Sequence, residues 1–93
     1  MTHHVLIYSY VPDILERRAP HREEHLAKIA AAKDDGRIVM AGPIGDPPNG
    51  GLLVFTARDT AAARDAAEEF ARADPYVEAG LVTEWRVEPW TLV

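Results

Sequence analysis

Apolar and polar positions divide this 93-residue chain into six segments. Residues 3–11 (HHVLIYSYV) are rich in β-branched and aromatic side chains and stop at Pro12, which predicts a strand. Pro20, with Glu23 and Glu24 close behind, predicts a helix start, since proline presets the first turn and acids complement the dipole. That helix is expected to run to about Asp35, with Gly36 as its stop. Residues 37–42 (RIVMAG) and 51–57 (GLLVFTA) predict two further strands, separated by the loop GPIGDPPNGG. Asp59 or Thr60 then caps an alanine-rich helix ending near Ala73. A short turn, DPYVEAG, leads into a last strand at 81–89.

The order β-α-β-β-α-β predicts an α+β protein of ferredoxin-like topology, one domain spanning residues 1–93. Right-handed crossovers place both helices on one face of a four-stranded antiparallel sheet. A sheet with one wet face alternates apolar and polar residues. Here Val5-Leu6-Ile7-Tyr8, Ile38-Val39-Met40-Ala41 and Leu52-Leu53-Val54-Phe55 are apolar on both faces. The face away from the helices therefore needs a cover. A second copy is the simplest one, giving a homodimer through the open sheet face. The other available cover is the tail Trp90-Thr91-Leu92-Val93.

Composition supports that need. Apolar residues make up 47% of the chain, but 15 are alanine, which leaves 29 larger apolar side chains to build a core. No apolar run exceeds four residues, and the first residues lack the apolar stretch of a signal peptide, so neither membrane insertion nor export is expected. Zero cysteines remove disulfides and thiolate metal sites, and they fit a reducing cytoplasm. A net charge of −5 without a basic stripe argues against nucleic-acid binding.

Candidate chemistry centres on histidine. His21-Arg22-Glu23-Glu24-His25 satisfies the H-x-x-E-H pattern of inverted zinc peptidases. Such enzymes need a third ligand from a later helix of a larger protein, and His21 is expected to point to solvent, so no metal site is assigned. His3 and His4 read as the fraying start of a strand. His25 is different, because with Leu26, Ile29 and Ala30 it lies at the edge of the stripe that faces the sheet. A structural histidine there needs a hydrogen-bond partner, and a catalytic one is a general acid or base near neutral pH. Its candidate partner is Asp74, which ends the second helix before Pro75 and can also cap the short turn that Gly80 closes. Arg17, Arg18 and Arg22 precede His25, either as solvated surface or as a clamp for an anion. Gly42-Pro43 ends the second strand, where a glycine lets a ligand approach the backbone. No phosphate-binding loop, dinucleotide fingerprint or nucleophile elbow occurs.

Glu16-Arg17-Arg18, Arg22-x-x-His25-Leu26, Asp35-Gly36-Arg37, Ala41-Gly42-Pro43, Ala73-Asp74-Pro75-Tyr76-Val77 and Ala79-Gly80 together resemble the YciI-like (YCII-related) family, in the family's order and over nearly the whole chain. The resemblance implies a dimeric α+β barrel similar to muconolactone isomerase. It also implies an active site of one histidine and one aspartate, which map onto His25 and Asp74. One branch resembles dehydrochlorinases of chlorinated hydroxyhydroquinones, whose chemistry is cofactor-free. The compact, proline-rich loop after Gly42-Pro43 departs from relatives that carry longer segments.

The expected function is acid/base catalysis on a small anionic or phenolic substrate, by isomerisation, elimination or dehydrochlorination, without metal, flavin or haem. His25 moves the proton, Asp74 orients it, Arg18 and Arg22 hold the negative group, and Tyr76 with the Gly42-Pro43 backbone shapes the pocket. A non-catalytic binding module and a cofactor-free monooxygenase of the same architecture are the alternatives.

Overall fold

The computed structural model describes all 93 residues. Its order is β1 (Thr2–Tyr10), α1 (Ile14–Arg17), α2 (Ala19–Asp34), β2 (Ile38–Ile44), β3 (Gly50–Ala57), α3 (Thr60–Ala73), α4 (Pro75–Glu78) and β4 (Val82–Pro89). The four strands form one antiparallel sheet in the order β2-β3-β1-β4, as the ferredoxin-like expectation requires.

One short helix went unforeseen, α1, a single turn too brief to show periodicity, while the short turn expected after Asp74 forms the one-turn helix α4. Pro20 separates α1 from α2 because it has no N–H to give the Glu16 carbonyl. The strand β2 also runs two residues past Gly42, so Gly42 and Pro43 lie within it rather than closing it. As an edge strand, β2 tolerates the proline.

The two long helices meet the sheet differently, and that difference makes the site. Ala63, Ala67 and Ala71 recur every four residues along α3 and are fully buried. Their small side chains seat α3 closely on the sheet, where Phe70 meets Phe55 edge to face at 5.6 Å. The alanines that looked like a thin core are the contact surface of this helix.

In contrast, only His25 and Ala32 of α2 are fully buried. Leu26 is 45% exposed and Ala30 is exposed too, so the expected inward stripe is narrower than the sequence suggested. Between α2 and the sheet lies a cleft lined by residues of both.

On β1, His4, Leu6 and Tyr8 point toward the helices, while Val5 and Ile7 lie half-buried on the opposite face. A bulge at Val39 lets Ile38 pair with Phe55 on the helix side while Met40 pairs with Val54 on the open side. Met40 and Ile44 remain 58% and 42% exposed there.

The C-terminal tail does not cover that face. Trp90 N–H donates to the His3 carbonyl at 3.0 Å, and Trp90, Thr91 and Leu92 bound a cleft with Met1–His4 and Thr60. This tail also corrects the reading of His3 and His4 as a fraying start. The β1 ladder pairs with β3 from Thr2 and with β4 from His4, and His4 is buried.

Candidate active site

Asp74 joins α3 to α4. Its extended backbone (φ −74°, ψ 124°) ends α3, and Pro75 starts α4. The carboxylate caps the new helix, with Oδ1 accepting the Tyr76 backbone N–H at 3.0 Å. Asp74 is fully buried, and a buried carboxylate needs donors on every side. It receives two more. The Tyr8 hydroxyl donates to Oδ2 at 2.7 Å, and His25 Nδ1 lies 2.8 Å from Oδ1 and 3.0 Å from Oδ2. One side chain thus ties together β1, α2 and α4.

This arrangement fixes which nitrogen of His25 faces the carboxylate. Asp74 acts only as an acceptor toward Tyr8 and the Tyr76 N–H, so Nδ1 must carry the hydrogen it shares with the carboxylate. Nε2, on the far side of the ring, has no hydrogen-bond partner within the protein. The Tyr76 ring stacks on the imidazole with centroids 3.7 Å apart and planes 7° off parallel, which holds the ring plane.

The cleft beside this group has a volume of about 310 Å³. His25, Arg18, Arg22, Gly42, Pro43 and Tyr76 all line it, while Asp74 sits behind His25 and does not. Leu26, Ile29, Ala41 and Leu53 provide apolar wall. A Cβ at Gly42 would meet nothing within 4 Å, so packing within one chain does not demand glycine there. Gly51 is the tighter position, since a Cβ on it would stand 2.6 Å from the Tyr10 hydroxyl.

Three cationic side chains, Arg18, Arg22 and Lys33, line the cleft. Burial raises the Tyr76 phenol above its ordinary value, and Arg18 and Arg22 pull it back down. Tyr10 is pushed up to about 12, chiefly by burial and then by Tyr76 and Asp74, with the same two arginines opposing. Burial, followed by the Asp74 charge, holds Tyr8 far above the usual phenol range. Arg17 turns away to Asp13 at 3.6 Å on the surface. His21 is half-buried rather than solvated, and no group of three or more His, Asp or Glu side chains converges to hold a metal.

Three residues of this region were missed in the sequence: Tyr8, Tyr10 and Lys33. Tyr8 ended a run read as apolar, which hid its hydroxyl, and Tyr10 lay in the same predicted strand. The signal was the alternation itself, because His4, Leu6 and Tyr8 share one face of β1. Lys33 follows His25 by eight positions, close to the same helical stripe.

Solved structures share this architecture. The 5-chloro-2-hydroxyhydroquinone dehydrochlorinase of Burkholderia phenoliruptrix, in complex with 2,5-dihydroxybenzoquinone, superposes with a TM-score of 0.73 at 25% identity, covering 96% of this chain and 93% of its own. An antibiotic biosynthesis monooxygenase matches with a TM-score of 0.62 at 17% identity over 100% of this chain and 99% of its own, a likeness of fold alone.

In sequence, the Escherichia coli protein YciI is 36% identical over 86 residues, covering 87% of this chain and 88% of that protein. An uncharacterised Haemophilus influenzae protein is 33% identical over 96 residues, with 98% of each chain covered. The profile of the YCII-related domain matches residues 1–91. The chain belongs to the YCII-related domain family.

Proposed function

We propose that this protein is a cofactor-independent acid/base enzyme acting on a small anionic or phenolic molecule. The observation that carries the reading is the His25–Asp74 contact at 2.8 Å, with Nε2 of the same ring free beside an open, cationic cleft. Neutral imidazole at Nε2 accepts a proton from an acidic C–H or O–H of the substrate, and Asp74 stabilises the imidazolium that forms. The electron pair released becomes a new π bond. In isomerisation the proton returns to another carbon of the same conjugated system. In elimination from a chlorinated phenol, His25 first carries an O–H proton to the chlorine-bearing ring carbon to give the keto tautomer. Loss of a second O–H proton then expels chloride from that saturated carbon, and this proton leaves to water. Arg18 and Arg22 compensate the negative charge that develops on the substrate oxygen.

The similarity to a dehydrochlorinase supports an elimination of this kind. Chloride release from 5-chloro-2-hydroxyhydroquinone tests it directly, with enzyme-dependent release expected. Binding of that compound without chemical change would turn the reading into a binding module.

The working form is a homodimer. Val5, Ile7, Met40, Ile44 and Leu52 form an apolar surface on the sheet face that neither helices nor tail cover. A second copy buries that surface against its own equivalent.

A further inference from the structure

The cleft carries more positive charge than a single negative group requires. Of the ten basic residues in the chain, five have a carboxylate within 4.0 Å: Arg17, Arg37, Arg64, Arg72 and Arg86. Three of the five that lack one, Arg18, Arg22 and Lys33, line this one cleft. No acidic residue lines it, and Asp74 is sealed behind His25. In a chain of net charge −5, such a wall concentrates positive potential at one place and draws in anions.

The positions of the three cations say what shape of anion fits. Arg18 and Arg22 are one turn apart near the start of α2, beside His25 and Tyr76. Lys33 lies in the last turn, eleven positions after Arg22, which is roughly 16 Å along a helix axis. Between them the wall is apolar, with Leu26 and Ile29 from the helix and Leu53 from the sheet. We propose that the cleft binds a flat dianion with its two charges at opposite ends, such as a ring dicarboxylate or a carboxylate bearing a distant phenolate. Arg18 and Arg22 hold the end next to His25. Lys33 holds the far end, and the ring lies on the apolar wall. The proposal rests on the reading of this cleft as the substrate site and names the class of molecule it takes.

Lys33 has a competing structural role, since a cation in the last turn of a helix also complements the dipole. A purely structural lysine changes thermal stability and leaves ligand preference alone. The test is calorimetric titration with terephthalate and benzoate at low ionic strength, where charge contacts are least screened.

Terephthalate is expected to bind at least ~10-fold tighter than benzoate. Lys33→Met is expected to abolish that advantage while leaving benzoate unchanged, and Arg22→Met to weaken both ligands. Equal affinity for the two probes, binding of neither at millimolar concentration, or an unchanged ratio in Lys33→Met overturns the proposal. Repeating the titration with His25→Ala separates the two readings. Retained preference for terephthalate with turnover lost upholds both. Lost preference in Lys33→Met with no enzymatic turnover by the unaltered protein upholds the dianion site and removes only the catalysis.

Discussion

The Tyr8 hydroxyl and the Asp74 carboxylate meet at 2.7 Å in the fully buried centre of the molecule, although 66 residues separate them in sequence. Through this bond the central strand supports the carboxylate that orients His25. Tyr8→Phe removes one of three donors and leaves Asp74 Oδ2 short of a partner, at a cost of about 1–3 kcal/mol in stability. A lower midpoint in urea is therefore expected, together with a lower kcat, because the carboxylate that orients His25 is held less firmly. An unchanged kcat in the folded variant shows that Tyr8 supports only the fold.

Asp74→Asn preserves the size of the side chain and replaces its charge with a dipole. The amide cannot stabilise an imidazolium and can bind the wrong tautomer of His25. A loss of roughly 10²–10⁴ in kcat is expected with KM little changed. The kinetic split checks this, because a merely structural Asp74 moves stability and leaves kcat alone.

Alkaline pH is expected to destabilise the protein through Tyr8 and Tyr10. Both phenols are raised on folding, Tyr10 to about 12, and burial is the first cause in each. As pH climbs past the ordinary phenol value of about 10, the unfolded chain releases these protons while the folded chain keeps them. Stability is then full below about pH 10 and falls as pH rises toward the folded values. Urea unfolding at successive pH values measures the slope, and Tyr10→Phe is expected to make it shallower.

Much of this arrangement could be read from residue patterns, and what escaped them has physical causes. Alternating apolar runs and proline or glycine punctuation placed every strand and both long helices within a few residues. The Asp74 cap on the turn begun by Pro75 was equally readable, since Asp-Pro before a short helix is a local signal. The contact between His25 and Asp74 was not. It depends on how β1, α2 and α4 converge on one carboxylate, which is a tertiary outcome. Tyr8 escaped for the opposite reason, because a tyrosine in a strand reads as apolar until a partner for its hydroxyl is known.

Met40 tests the homodimer. It is 58% exposed on the open sheet face, so an acidic substitution there costs a single chain little. In an isologous interface the same change brings two like charges together in an apolar setting. Light scattering is expected to give a dimer for the unaltered protein and a monomer for Met40→Glu with an unchanged circular dichroism spectrum. A monomer in both removes the second copy as the cover.

The central claim is that Nε2 of His25 moves the proton. Its most direct test is kcat/KM for chloride release from 5-chloro-2-hydroxyhydroquinone, compared between the unaltered protein and His25→Ala. A general acid/base at this position predicts a loss of roughly 10²–10⁴ in the folded variant. Equal rates in the two proteins contradict it and leave His25 a buried ring that serves only to satisfy Asp74.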